Sequence, residues 1–278
     1  MTPSVTRTAL VTGASTGIGR ATALHLDTLG FAVFAGVRNP ADGEKLARAG
    51  SSTLRSVLLD VTDAQSVAAA VAEIEAVPSA FVGVVNNAAI SIPGPLEFMP
   101  IEEVRRQLDV NFLGAVRVTQ AMLPSIRAAG RGRIVNVSSI NARLAQPWIG
   151  VYSASKWAME GWSDALRREL RPWNIAVSIV QPGAVATPIF ERSRASGKEL
   201  AASLPARAHE LYPDILRALL HRPGRTPRHA IAPDRVARAI AKALTVRRPR
   251  VRYLVGRDTR LVALLSAVLP TRVIDRLL

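Results

Sequence analysis

Short, nearly continuous apolar runs alternate with stretches of helical periodicity through most of the chain. TALV at 8–11 leads into a glycine-rich TGASTGIG and then a helical pattern, RATALHLDTLG at 20–30. FAVFAGV at 31–37 is apolar at almost every position, as a strand covered on both faces of a parallel sheet must be. The theme repeats in SVLLD at 56–60, a helix over 64–76, AFVGVVN at 80–86, and a long helix over about 101–128. It continues in GRIVNVS at 132–138, a helix that opens with VYSASKWAMEGW at 151–162, and IAVSIVQPG at 175–183. Strands alternating with helices predict an α/β fold, and right-handed crossovers place helices on both faces of a parallel sheet. The expected architecture is one Rossmann-type doubly wound domain spanning 1–278. After Thr187 the rhythm is lost, and 188–232 reads as short helices forming a lid, with Phe190, Leu204, Leu211, Tyr212, Ile215, Leu219 and Leu220 among basic residues.

In such sheets ligands gather at the carboxyl ends of the strands, near the point where strand order reverses. The residues predicted at those ends are polar or expose backbone: Gly13, Gly17 and Gly19, then Asp60, then Asn86, Asn87 and Ala88, then Ser138 and Ser139, then Pro182, Gly183 and Thr187. The first set lies between a strand and a helix, where backbone N–H groups and the positive helix end meet a phosphate. Gly13 takes up the tight turn, Gly17 allows close approach to a pyrophosphate, and Gly19 allows close helix packing. The second strand ends in Val37 and is followed by Arg38. A carboxylate there would accept bonds from an NAD ribose; a guanidinium suits a 2′-phosphate, so NADP(H) is the expected cofactor.

Composition removes several chemistries. The chain has no cysteine, which excludes disulfides, thiol nucleophiles and thiolate metal sites. Its four histidines, His25, His209, His221 and His229, form no helical pair and stand beside no carboxylate cluster, so no metal is expected. No apolar run approaches the ~20 residues of a membrane-spanning helix, and the N-terminus lacks a signal-peptide pattern, making a cytoplasmic enzyme the default. The net charge of +15 is uneven: from His221 onward there are 14 Arg or Lys against 3 Asp or Glu, a net of +11. A solvated basic face, or peripheral contact between the basic C-terminal extension at 257–278 and anionic lipid, would account for it. No aromatic residues interleave the basic positions, so nucleic acid is not an expected partner.

Tyr152 and Lys156 stand one turn apart in a helix expected to bury Val151, Ala154, Ala158 and Trp162. By itself such a pair is as readily a surface feature, since i and i+4 are helix neighbours. The motifs taken together nevertheless resemble the short-chain dehydrogenase/reductase family over residues 8–187: TGASTGIG, DVT at 60–62, NNAA at 86–89, Asn111 within LDVNFLGAV, Ser139, YSASK and PGAVAT. The run from 233 to 256, ending RYLVG, looks like the branch of hydroxysteroid and retinol dehydrogenases.

The resemblance implies an oxidoreductase in which Tyr152 is the acid/base, Lys156 its partner and Ser139 a hydrogen-bond donor to the substrate oxygen. Ser139 is preferred to Ser138 because it stands 13 residues before Tyr152. Asn111 would interrupt its helix and hold a water linking Lys156 to solvent. The resemblance places Gly13, Ser15, Thr16, Gly17, Ile18 and Gly19 on the cofactor phosphates and Asp60 and Val61 beside the adenine. Asn87 and Ala88 would line the groove, and Pro182, Gly183, Val185 and Thr187 would meet the nicotinamide. Ala89 departs from the usual glycine. Lys156, with the oxidised nicotinamide, is expected to favour the phenolate by charge. Ile90, Ile92, Pro93, Leu144 and Trp148 near the same strand ends suggest a hydrophobic ketone or alcohol. Leu113, Val116, Trp157 and Trp162 are candidates for a homodimer or homotetramer interface. A non-catalytic NADP(H)-binding sensor on the same fold is the alternative, and it need not keep Ser139, Tyr152 and Lys156.

Overall fold

In the computed structural model, described over residues 7–79, 81–221 and 226–276, the apolar runs pair side by side. They are β1 (Arg7–Val11), β2 (Phe31–Val37), β3 (Leu54–Leu58), β4 (Phe81–Asn86), β5 (Gly132–Val137), β6 (Ile175–Pro182) and β7 (Arg252–Val255). The sheet order is β3-β2-β1-β4-β5-β6-β7, parallel throughout, so the order reverses between β1 and β4. The Rossmann-type doubly wound fold follows from this order.

Helices α1 (Gly17–Thr28), α2 (Pro40–Ala47) and α3 (Ala64–Glu75) connect the first four strands. Next come α4 (Ile101–Leu108), α5 (Gly114–Ala128) and α6 (Gly150–Glu169), then α7 (Ile189–Ser203), α8 (Ala206–Leu211), α9 (Pro213–His221), α10 (Pro233–Thr245), α11 (Arg257–Val268) and α12 (Thr271–Asp275). Alternate strand side chains feed two cores. Ala9, Val11, Val33, Ala35 and Val37 pack with Ala23, Leu26, Ile240 and Leu244 of α1 and α10. Leu10 and Phe34 face the other way, toward Val67, Val118, Met122 and Leu166 of α3, α5 and α6.

The long helix expected at 101–128 is interrupted at Asn111, as the resemblance implied, by a π-helical turn over Asp109–Leu113. Three differences from the sequence expectation have local causes. The third strand stops at Leu58, and Asp60 lies beyond it because its Oδ1 accepts hydrogen bonds from the Thr62 amide at 2.9 Å and the Thr62 hydroxyl at 2.7 Å. Helix α2 was not anticipated, although Asn39 caps it by accepting from Ala41 N at 2.9 Å and Pro40 opens it. The basic extension forms α11 and α12; Arg222, Arg225 and the last two residues of that basic stretch, and Ala80 of the fourth strand pattern, lie outside the described residues.

A polar ladder runs through the second core. Asn86 Nδ2 on β4 donates to Thr119 Oγ1 on α5 at 2.9 Å and to Asn136 Oδ1 on β5 at 2.8 Å. Asn136 Nδ2 in turn donates to Ser163 Oγ on α6 at 2.7 Å. Asn86 is therefore buried inside the sheet layer and does not reach the ligand edge where the sequence pattern put it.

Candidate active site

The turn after β1 is cross-braced to the end of β4 at the reversal point. Thr12 Oγ1 accepts from the amides of Asn87 and Ala88 at 3.0 Å each, and Asn87 Nδ2 donates to the carbonyls of Thr12 and Gly13 at 2.9 and 3.1 Å. Thr12 was not singled out from the sequence; its signal is the Thr that opens TGASTGIG. Gly17 has φ +56°, and a Cβ there would lie 2.9 Å from Thr187 Cγ2, so only glycine lets the turn meet the end of β6.

Helix α1 then starts at Thr16 with no side-chain cap and no acidic residue in its first turn. Ser15, Thr16 and Ile18 are half-buried there, leaving N–H groups and hydroxyls for an anion. Arg38 is exposed just beyond β2, and Val37 points into the core. Burial works against ionisation of Asp60, but the hydrogen bonds from Thr62 and the charge of Arg38 outweigh it and hold its carboxyl below the usual range. Val61 is buried, Asn87, Ala88 and Ala89 are half-buried, and Pro182, Gly183, Val185 and Thr187 follow at the end of β6. This donor set, an uncapped glycine turn at the strand ends with Arg38 exposed beside it, fits a dinucleotide. A cavity of about 430 Å³ lies between α1, the segment after β6 and the start of α10, lined by Gly17, Arg20, His25, Pro188 and Asp234 among others. It reaches none of Ser139, Tyr152 or Lys156 and is not where their chemistry would occur.

Those three residues converge at the end of β5. Lys156 is 2% exposed; its Nζ donates to Val137 O at 2.9 Å and lies 5.7 Å from the centre of the Tyr152 ring. Ser139 caps a single helical turn by accepting from Asn141 N at 3.2 Å, and its side chain stands close enough to the Tyr152 phenol to favour the phenolate. Ser138 Oγ is buried and has no hydrogen-bond partner among the described residues. Burial raises the phenol above its ordinary value of 10, and the Ser139 hydroxyl, which acts the other way, does not cancel this. Burial also drives the Lys156 ammonium down to about 8, against an upward pull from Glu160. Desolvation is the larger influence on the phenol here.

The burial pattern of α6 also differs from expectation. Val151 is buried, but Ala154 is exposed and Ala158 and Trp162 are half-buried, with Trp162 edge-on to Phe112 at 6.2 Å. The covered side carries Ser153, Ser155, Lys156, Met159, Glu160 and Ser163, a polar face turned onto the sheet. Asn111 sits in the π-helical turn. Its Oδ1 accepts from Ile90 N at 2.8 Å, and its Nδ2 donates to Ile90 O at 2.9 Å and to Ser155 Oγ at 3.0 Å. Ser155 Oγ donates to Tyr152 O at 2.6 Å, so Asn111 braces the helix that carries the phenol.

Helices α7, α8 and α9 close on a small core of Ala201, Ala208, Leu216 and Leu219. Tyr212 fastens this unit: its OH donates to Glu97 Oε2 at 2.7 Å, and its ring stands edge-on to Phe98 and Trp148 at 5.9 and 5.8 Å. A Cβ on Gly197 of α7 would lie 2.7 Å from Pro93, so the unit packs directly on the segment that holds Ile92 and Pro93.

The sheet order and this edge define a dinucleotide-fold protein with a serine, a phenol and an ammonium at its strand ends. The chain belongs to the short chain dehydrogenase family, whose model matches residues 7–198. It is 38% identical to mouse retinol dehydrogenase 5 over 276 residues, covering 96% of this chain and 86% of that protein. It is 35% identical to the uncharacterized oxidoreductase YbbO of Escherichia coli K12, covering 98% of this chain and 94% of that one. A 3-ketodihydrosphingosine reductase of Bacteroides thetaiotaomicron is 36% identical, with 89% and 87% covered. Among solved structures, a short chain dehydrogenase from Burkholderia cenocepacia in complex with NADP superposes with a TM-score of 0.75 at 26% identity, covering 99% of this chain and 98% of that one. The chain is therefore an oxidoreductase of this family.

Proposed function

We propose that this oxidoreductase prefers NADP(H) and interconverts a hydrophobic ketone or aldehyde with its alcohol, on a steroid-, retinoid- or lipid-like substrate. The observation that carries the reading is the convergence of Ser139, Tyr152 and Lys156 beside the uncapped glycine turn. The retinol and sphingoid names among the relatives and the apolar residues near the site support the substrate class. When bound, a nicotinamide cofactor supplies or accepts the hydride. The turn from Gly13 to Gly19 would hold its pyrophosphate, Arg38 the 2′-phosphate, Asp60 and Val61 the adenine side, and Asn87, Ala88, Pro182, Gly183, Val185 and Thr187 the nicotinamide half.

In the reducing direction the carbonyl oxygen gathers negative charge. Tyr152 donates a proton to it, and Ser139 hydrogen-bonds the same atom and fixes its position. The raised phenol is fully protonated at neutral pH, the form a proton donor needs. Lys156 lends positive charge that eases departure of the proton, and Asn111 keeps the helix in register through Ser155. Leu113 and Trp157, 43% and 52% exposed, remain available for a homodimer or homotetramer contact.

A panel of apolar ketones and alcohols, followed at the reduced-nicotinamide absorbance with each cofactor, tests the reading; we expect turnover with NADPH to exceed that with NADH. Because Val37 is buried, the informative substitution is at the exposed position. Arg38→Ala removes a charge-assisted contact of about 1.5–3 kcal/mol, so NADPH KM should rise at least roughly tenfold while NADH KM stays put. Absence of turnover on the whole panel, with NADPH still bound, would favour a cofactor sensor.

Among the described residues no helix is long and apolar enough to cross a membrane. The outer side of α11 nevertheless carries Leu261, Leu264 and Val268 at 58–67% exposure, with Arg260 beside them, Arg272 on α12 and Arg276 just after it. We propose that this stripe seats on an anionic lipid surface, where apolar burial and basic charge act together. The chain should float with phosphatidylglycerol vesicles but not phosphatidylcholine vesicles at physiological salt, and Leu261→Ser/Leu264→Ser/Val268→Ser should abolish flotation. If the triple variant instead shifts oligomeric state and neither protein floats, the stripe is a contact between copies of the chain.

A further inference from the structure

Tyr152, Lys156, Glu160 and Asp164 follow one another at four-residue intervals on α6, so they lie along one stripe of the helix. Glu160 is 9% exposed, an unusual place for a carboxylate unless it is partnered. Both its oxygens are taken by other elements. Oε1 accepts from Gln181 Nε2 of β6 at 2.8 Å, and Oε2 accepts from Arg252 Nε of β7 at 2.9 Å. Gln181 is itself oriented by Arg143 Nε, at 3.0 Å, from the segment just after Ser139. Arg252 also donates to Asp164 Oδ2 at 2.8 Å, and Asp164 receives Arg167 at 3.4 Å. Shared between two carboxylates, Arg252 neutralises neither completely. Glu160 makes no ion pair with Lys156, so it acts on the ammonium through the field across one helical turn of dry interior.

We propose that Glu160 is a positioning residue: its carboxylate, locked by Gln181 and Arg252, keeps the buried Lys156 charged and so keeps the Tyr152 site competent at neutral pH. Glu160 touches neither phenol nor substrate. The charged groups facing the stripe are Arg143 beside Ser139, Arg252 on β7, and Glu160, Asp164 and Arg167 on α6 itself; Val137 O supplies the only hydrogen bond Lys156 makes among the described residues. The upward pull of Glu160 on Lys156, opposite to the effect of burial, agrees with this arrangement. The sequence signal was present in YSASKWAMEG, where the glutamate follows the lysine by four.

The proposal rests on Lys156 serving the reaction, and its test has one arm that does not. In the first arm, kcat/KM against pH reports ionisations of the free enzyme. The wild-type profile should fall as Lys156 discharges near pH 8. Glu160→Gln should move that fall toward lower pH by about one pH unit, the scale of a nearby opposite charge. Glu160→Asp should restore it most of the way, and Arg252→Gln, which leaves the carboxylate less neutralised, should move it upward. A purely structural role would lower activity at every pH with the midpoint fixed.

In the second arm, calorimetric Tm is followed from pH 6 to about 10.5. Stability should start to climb with pH above about 8 in the wild type, because the folded state has then shed a proton that the unfolded lysine still holds. The climb should begin lower in Glu160→Gln and higher in Arg252→Gln, and be absent from Lys156→Met with or without Glu160→Gln. Unmoved onset in both single variants would overturn the proposal even if the enzyme proved inactive on every substrate tried; a moved onset with no turnover would sustain it while sinking the oxidoreductase mechanism. Should Glu160→Gln fail to fold, Arg252→Gln decides alone by the direction of its shift.

Discussion

Tyr152→Phe should lower turnover by roughly 10³-fold or more, the upper part of the range for a positioned proton donor, while the dissociation constant for NADPH changes by less than about twofold. The argument is geometric. The substitution deletes one oxygen from a half-buried ring and leaves its packing, the glycine turn and Arg38 untouched. Of the groups near the reacting oxygen only Ser139 would remain, and a serine hydroxyl can donate a hydrogen bond but is a far weaker acid than a phenol. Stopped-flow turnover paired with fluorescence titration of NADPH separates the two effects. A variant that retained a tenth of wild-type turnover would remove Tyr152 from the mechanism.

Lys156→Met should weaken catalysis and cofactor binding together, each by one or more orders of magnitude, yet raise the stability of the folded chain at neutral pH. The ammonium is 2% exposed and depressed to about 8 from 10.5. Each tenfold change in proton affinity corresponds to about 1.4 kcal/mol, so keeping this lysine charged costs the fold roughly 3 kcal/mol at pH 7. Methionine has a similar shape and removes that cost, while the loss of the bond to Val137 O returns about 1 kcal/mol of it. A net gain of about 2 kcal/mol in a chain of this size corresponds to a Tm increase of several degrees. The sign is diagnostic. The lysine penalty is complete below about pH 8 and is relieved as pH rises toward 10.5, so the advantage of the variant should shrink over that interval. A destabilised Lys156→Met protein at pH 7, with unaltered pH dependence, would contradict the buried cation described here. An amino acid kept at a thermodynamic loss is explained by what it does for the reaction.

The fold could be read from the sequence because its strands are covered on both faces. FAVFAGV and IAVSIVQPG have little choice but to be interior parallel strands, and glycines between the first strand and helix mark the ligand edge. Elements set by local polar chemistry were harder to place. Asp60 falls outside its strand because Thr62 captures its carboxylate, and α2 begins where Asn39 supplies a cap. Helix α6 was misjudged for a related reason. Apolar periodicity assumes that the covered face is oily, whereas here Lys156, Glu160 and Ser163 face the sheet, Ser155 faces the π-helical turn, and together they find partners on four other elements. Asn86 erred in the opposite direction: an amide at a strand end looks like a ligand contact until its two donor bonds to Thr119 and Asn136 are seen. Side chains that act through another group, such as Thr12 and Glu160, leave a trace in the sequence only as neighbours of the residues they serve.

The amide ladder from Asn86 to Ser163 has a consequence for how the chain reaches this arrangement. Apolar strands made of valine and isoleucine tolerate sliding, since one branched residue replaces another at little cost. Asn86 and Asn136 face each other at matched positions of β4 and β5, and a slip of one residue would turn one of them to the opposite face of the sheet and strand its amide among hydrocarbons. Mispaired intermediates are thereby penalised from within, and the helix bearing Tyr152 can dock through Ser163 only on correctly aligned strands.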